Sequence, residues 1–410
     1  MDKTEEFLKN QFAAYYQRKH EGLTMPPDYE KREFAFFWFT RRGALRHTSF
    51  TKKEELIQFI ANEGPAHIFY SAAKYRKPDA PQMPLKEWEG ANLIFDIDAD
   101  HLILPCQKLH DRWLCTECST RGKGQRPEAC PNCGAHAFQE LKWMCKECLD
   151  AAKSEAIKII EEFLLPDFGI VHKDIMIVFS GHRGYHVHCF TEEVQPLGSA
   201  ERREIVDYVS GVGLDFLHHG LVDQSYGIPK GPDTRTPGWE QKIARGIKAI
   251  FKSPSKISEI TQLKASQKEI LTRDAASILR QLEESPPRYV MPKGIGKVAW
   301  RAIAQFAVEQ MGAKVDEPVT TDIHRLIRLP GSLHGKTGFL VKQLDMNSLE
   351  KFDPFSDAQV FEGSTEVFVK ESPGFSLGNT EYPPMRECEC ELPLSVAILL
   401  LGKGVAIINE

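Results

Sequence analysis

The order of apolar and polar positions divides the chain into strand-like stretches separated by two segments of different character. Up to about Arg18 the apolar residues recur at helical spacing, and Arg32 to Phe39 (REFAFFWF) has the aromatic density of a buried strand, continued by Arg46 to Phe50. Thr51, with Glu54 three residues on, has the capping-box pattern and predicts a helix start. Leu93 to Ile97 (LIFDI) and Ile175 to Phe179 (IMIVF) read as short apolar strands, each running directly into polar, chemically able residues. Between them lie a cysteine-rich segment and a helix from about Leu149 to Leu164. From Ser199 to Arg288 the pattern is helical and strongly charged, without strand alternation, until Pro286 and Pro287 interrupt it. Strand-like segments return at Arg325 to Leu329 and Phe339 to Val341. The expected fold is mixed α/β (α+β), a mainly antiparallel sheet flanked by helices. Residues 1–105, 149–198 and 289–410 would form its core, 106–148 a metal-binding insertion and 199–288 a helical subdomain.

A hydrophobic content of 42% over 410 residues can bury one large core or two moderate ones. The charged, amphipathic N-terminus is expected to be neither a signal peptide nor a membrane span, and the apolar run near Val396 to Leu401 is too short to cross a bilayer. The net charge of −5 argues against a surface that grips nucleic acid everywhere, so such contact would need local basic patches. Six of the ten cysteines fall in three Cys-x-x-Cys pairs. In a chain expected to be cytoplasmic, that spacing points to metal binding rather than to disulfides.

Asp96 and Asp98 close the first apolar strand, and side chains two residues apart point to the same face. Hard oxygen ligands placed in this way suit Mg²⁺ or Mn²⁺. The second strand delivers Ser180-Gly181-His182-Arg183-Gly184-Tyr185-His186-Val187-His188, in which glycines permit close backbone approach. Its Ser180, Arg183 and His186 can donate to phosphate oxygens. A third constellation, Asp316 to Asp322 followed by Arg325, Arg328 and Gly331 to Lys336, offers a further acid and a set of cations. A carboxylate strand beside a phosphate-gripping turn is the division of labour that nucleotidyl transfer requires.

The strings NLIFDIDADHL, SGHRGYHVH and VDEPVTTDIHRLIRLPGSLHGKTG resemble, in that order, the catalytic motifs of the archaeal and eukaryotic DNA primase small subunit. The resemblance extends over about residues 30 to 345. It implies a two-metal nucleotidyltransferase that makes short RNA primers on single-stranded DNA for replication, with DNA primers left open. It also implies a larger partner subunit, nucleoside triphosphate substrates and no membrane. Asp96 and Asp98 would be ligands of two Mg²⁺ or Mn²⁺ ions, with Asp316 or Asp322 as the third acid. Counting back from His334 favours Asp316. Arg46, Ser180, Arg183, His186, Arg328, His334 and Lys336 would contact the incoming nucleotide, and Tyr70 is either a further contact or a core tyrosine.

Cys115-x2-Cys118, Cys130-x2-Cys133 and Cys145-x2-Cys148 are separated by equal intervals and preceded by Cys106 and His110. Eight such ligands suffice for two closed tetrahedral Zn²⁺ sites. The resemblance favours Cys106, His110, Cys145 and Cys148 as one site and Cys115, Cys118, Cys130 and Cys133 as the other. Grouping Cys106 and His110 with Cys115 and Cys118 is the alternative. Both would be structural. Lys123 and Arg126 lie in the loop of the second set. Lys242, Arg245, Lys248 and Lys252, and again Lys293, Lys297 and Arg301, recur at three to four residues and could follow a phosphate backbone. Cys189 is expected in the core, and Cys388 and Cys390 have no evident partner pair. Two rival readings remain: a primase-polymerase of the end-joining repair type, and a non-catalytic zinc-ribbon nucleic-acid-binding subunit.

Overall fold

A computed structural model describes residues 2–19, 22–219, 231–290 and 292–408. The chain forms two compact units, the first of residues 1–157, 170–203 and 315–410 and the second of residues 158–169 and 204–314. In the first, the aromatic run folds as the strand Phe34–Phe37, central in a sheet ordered Leu326–Arg328, His67–Ser71, Phe34–Phe37, Ala44–Thr48. A second sheet is ordered Lys342–Leu344, Ile175–Phe179, Gly184–Cys189, Leu93–Asp98. All strand pairs in both are antiparallel. Phe34 and Phe36 pack edge-on against Phe50, and Phe36 also meets Phe59 of the helix Lys53–Glu63. Burying such rings drives the strand into the interior. The helix Lys3–Lys19 buries Leu8, Phe12 and Tyr16, with Phe12 against Phe39 and Phe361.

Several boundaries depart from the expectations. Thr51 does not cap its helix: the N-cap position is Lys52, and the Thr51 hydroxyl donates to Glu55 at 3.3 Å. The strand expected at Phe339 to Val341 lies three residues later, at Lys342–Leu344, and Leu340 makes only a single bridge, to Leu333. The helix after the cysteines runs Lys146–Ile159 and ends in a wider turn, Ile160–Leu164. A C-terminal sheet ordered Met385–Pro393, Ser364–Ser372, Ala406–Ile407 carries Cys388 and Cys390. The apolar run near Val396 is the buried helix Leu394–Gly402. Among the described residues no helix is long and apolar enough to cross a membrane.

The second unit is helical, with Trp239–Lys252, Ala265–Leu282 and Lys297–Met311 as its main elements. It thus extends beyond residues 199–288, taking in the helix that follows Pro286. Ile243, Ile247, Ile250 and Phe251 form the buried face of the first of these helices. At Gly246 a Cβ would meet that of Ala307 at 2.9 Å, so glycine sets this helix contact. The same helix corrects the expected basic stripe. Lys242 is 1% exposed and bound to Asp167 at 2.7 Å, and Arg245 is paired with Glu162. Two of the four cations are therefore used inside the unit, since a buried ammonium requires a counter-charge. Lys293, Lys297 and Arg301, by contrast, are exposed.

Candidate active site and metal centres

The register of the second sheet brings two of the three motifs together. Asp98 stands opposite Gly184 and Asp96 opposite His186 in the antiparallel ladder of Leu93–Asp98 with Gly184–Cys189. Alternation leaves both aspartates half-buried while Ile97 between them is buried. Gly184 makes the pairing possible: a Cβ there would lie 2.2 Å from the Ile97 carbonyl oxygen. The Asp98 carboxylate accepts the Asp100 amide at 2.9 Å, which pins the turn Ala99–His101. Asp316 joins from the third motif, its backbone N–H donating to the Asp96 carbonyl at 2.8 Å. Asp322 instead accepts the His324 amide and shows no such link to Asp96.

Burial, and then the charges of Asp98 and Asp316, push the Asp96 carboxyl up to about 7, while Arg325 and Arg328 pull it down. Asp98 is raised as well, by burial first and then by Asp100. Crowded acids in a desolvated site need a cation to be comfortably ionised. His186 lies with Nε2 3.6 Å from Asp96, and burial holds its imidazole neutral, far below its ordinary range.

The turn Ser180 to Gly184 locks against the Gly331 to Lys336 loop. Gly181 has φ +78°, and a Cβ there would strike the His334 Cβ at 2.7 Å. The Thr337 hydroxyl donates to the Gly181 carbonyl at 2.6 Å. Ser180, nearly buried, has its hydroxyl 3.4 Å from the His182 amide. His182 stacks on His334 at 5.0 Å, and His67 meets His334 edge-on at 4.9 Å. Around these rings stand the Arg328 guanidinium, 2.7 Å from His67 Nδ1, the exposed Lys336, and Lys403, 2.7 Å from His182 Nε2. Burial drives His67, His182 and His334 well below the ordinary histidine range, so all three are neutral. Burial and the neighbouring Arg183 and Lys336 charges lower Lys403 to about 7. Arg328, lowered to about 10 by burial despite Asp96 and Asp98, remains charged. Three neutral imidazoles and the Arg328, Lys336 and Lys403 cations are thus gathered in one cluster.

His67 and Lys403 were not foreseen. Each is a lone polar residue far from the motifs in sequence, and only the sheet and the C-terminal helix bring it in. His182 stands inside the quoted motif, and its position in the turn was the available signal.

Arg183 is wholly buried, its side chain pairing with Asp100 at 3.0 Å and Asp111 at 3.3 Å. Tyr70 is a core tyrosine, fully buried with its hydroxyl 3.5 Å from His188 Nδ1. Arg46 keeps its side chain 41% exposed while pairing with the buried Glu33 at 2.9 Å. Cys189 is buried, as expected.

Two groups gather metal-ligand atoms within 4.8 Å of one another: Cys106, His110, Cys145 and Cys148, and Cys115, Cys118, Cys130 and Cys133. The Cys106 and Cys148 sulfurs are 3.4 Å apart, Cys148 Sγ and His110 Nε2 3.3 Å, and Cys118 and Cys130 3.5 Å. Zinc–sulfur bonds of about 2.3 Å in a tetrahedron give sulfur separations of roughly 3.8 Å, so both donor sets fit that ion. A small sheet, Arg121–Lys123, Arg112–Cys115, Phe138–Leu141, carries the second set. Lys123, exposed, ends the strand Arg121–Lys123 rather than lying in a loop, and Arg126 beyond it is paired with Glu140 at 2.9 Å.

Residues 140–346 match the family model for the DNA primase small subunit. The chain is 36% identical to the DNA primase small subunit PriS of Methanothrix thermoacetophila over 98% of both chains. It is 34% identical to that of Thermoplasma volcanium over 98% of this chain and 97% of the relative. To the corresponding protein of Nitrosopumilus maritimus it is 30% identical, over 98% of both.

Proposed function

The chain belongs to the DNA primase small subunit family, and from that premise we propose that its two acid motifs and its phosphate basin carry out template-directed nucleotidyl transfer on single-stranded DNA. It is an enzyme of DNA replication, a DNA primase. A non-catalytic zinc-ribbon subunit is thereby set aside, as is an end-joining polymerase. The relatives' designation as small subunits implies a larger partner, which we place in a heterodimer with this chain.

Asp96, Asp98 and Asp316 would hold two Mg²⁺ or Mn²⁺ ions, and the burial and then the neighbouring acids that raise Asp96 support that assignment. Bound there, the cations would activate a 3′-hydroxyl and stabilise charge on the α-phosphate as pyrophosphate departs. The protein's own residues do the rest. Arg328 and Lys336 offer fixed positive charge to the triphosphate, and His334 and Ser180 offer neutral polar groups at its edge. His186, kept neutral by burial opposite Asp96, would add a further neutral contact to the nucleotide. Arg46, half exposed and anchored by Glu33, would contact the nucleotide from the first sheet. The eight Cys and His ligands would hold two structural Zn²⁺ ions without an open coordination position.

The observation that carries this reading is the strand register that sets Asp96 opposite His186 and Asp98 opposite Gly184, with Asp316 bonded alongside. Replacing Asp96, Asp98 or Asp316 by Ala is expected to lower nucleotide incorporation by at least about a thousandfold with the circular dichroism spectrum unchanged. Asp322→Ala should retain most activity. Loss in Asp322→Ala with activity kept in Asp316→Ala would reverse the choice of third acid.

A further inference from the structure

Arg183 is buried among a set of acidic partners. Its guanidinium joins the loop after the acid strand to the first Cys/His cluster. On one side it pairs with Asp100 at 3.0 Å, and the Asp100 amide is the donor that fixes the Asp98 carboxylate at 2.9 Å. The Arg183 carbonyl also accepts the Ala99 amide at 3.1 Å. On the other side the guanidinium spans both oxygens of Asp111 at 3.3 Å. Asp111 in turn binds His110 Nδ1 at 2.7 Å and accepts the Trp143 amide at 2.9 Å, two residues before Cys145. The ring nitrogen left to His110 is Nε2, which faces Cys148. Every link is shielded: the Arg183 side chain is 0% exposed, Asp111 8% and Asp100 20%. Burial opposes the charges at Arg183 and Asp111, yet Asp100 and then Asp111 hold the guanidinium charged, and the His110 ring and then Arg183 hold the Asp111 carboxyl below its usual range. Lys142, just before Trp143, closes the circuit on Asp100 at 2.8 Å.

We propose that Asp111 and Arg183 are positioning residues, a buried relay through which the Cys106, His110, Cys145, Cys148 centre fixes the Asp98 loop and so sets the divalent-cation affinity of the acid pair. The proposal rests on the metal assignments made above. Carboxylates that orient a ligating histidine act on metal affinity by roughly 10- to 100-fold, and here the same carboxylate also holds the arginine that reaches the acid loop. The first zinc centre is thus part of the active site's scaffold, whereas no ligand side chain of the second set is hydrogen-bonded to Asp111, Arg183 or Asp100 among the described residues.

The test is Mn²⁺ binding to the full chain, read by electron paramagnetic resonance without nucleotide or DNA, beside zinc content measured by elemental analysis. Asp111→Asn and Arg183→Gln should each weaken Mn²⁺ binding roughly 10- to 100-fold, with two zinc ions retained. The double variant should lose no more than the weaker single one, because a relay is broken once. Single variants that bind Mn²⁺ like the wild type, or losses that add in the double variant, overturn the relay and leave the acids' assignment standing. Wild-type protein that binds no Mn²⁺, or binds it equally after Asp98→Ala, overturns the metal assignment itself. If Asp111→Asn sheds zinc, Arg183→Gln decides: weakened Mn²⁺ with zinc intact supports the relay, and unchanged Mn²⁺ refutes it.

Discussion

A carboxylate meant to hold a divalent cation has to be carried into the protein with its charge, and Asp96 displays the cost. Its folded value of about 7 lies above its unfolded value, so folding favours the protonated form and stability is lost as pH rises from about 4 through 7. Asp96→Asn removes that penalty. In buffer free of Mg²⁺ and Mn²⁺, thermal melts should show the variant more stable than wild type by about 1–3 kcal/mol near pH 8, with the advantage fading towards pH 4. Equal melting curves at both pH values would argue that Asp96 is not under electrostatic stress. Lys403 makes the opposite kind of claim. At about 7 it is half charged at neutral pH, and an arriving phosphate favours its protonated form. Nucleoside triphosphate should therefore bind roughly three- to tenfold tighter at pH 6 than at pH 8, and Lys403→Met should flatten that dependence. Calorimetric titration in buffers of differing ionisation enthalpy would detect the accompanying proton uptake.

Among the elements, the paired strands Leu93–Asp98 and Gly184–Cys189 are where sequence and structure agree most closely. Both strands and the polar residues at their ends could be read directly, because short apolar runs ending in Asp-x-Asp and in a glycine turn leave few alternatives. Their mutual register could not, since it depends on Gly184 passing beneath the Ile97 carbonyl. Gly184→Ala should accordingly destabilise the fold by about 1–3 kcal/mol and abolish incorporation, while the distant Cys115 to Cys133 cluster keeps its zinc. Chemical denaturation and zinc analysis would check both. The inward turn of Arg183 was equally hidden. In the motif it looks like a free cation beside phosphate-binding groups, and only Asp111, brought near by the cysteine segment, shows that its charge is already matched. Lys242 and Arg245 misled for the same reason, their partners Asp167 and Glu162 lying some 80 residues earlier in the chain.

For the molecule as a whole, the grouping of Cys106 and His110 with Cys145 and Cys148 follows from a fold that carries the chain out to the small sheet and back. Equal spacing alone permitted a different grouping. His67 and Lys403 join the cluster around His334 and His182 from positions that no motif marks. What the motifs do share is a reaction, and the chain's similarity to DNA primase small subunits along 98% of its length gives that reaction its class. Incubating the chain with a single-stranded DNA template, nucleoside triphosphates and Mg²⁺ or Mn²⁺, without any primer, addresses it most directly. The expected result is short new strands complementary to the template, absent when the cation is withheld and absent in Asp98→Ala. Failure to start strands without a primer, or synthesis that survives Asp98→Ala, would contradict it.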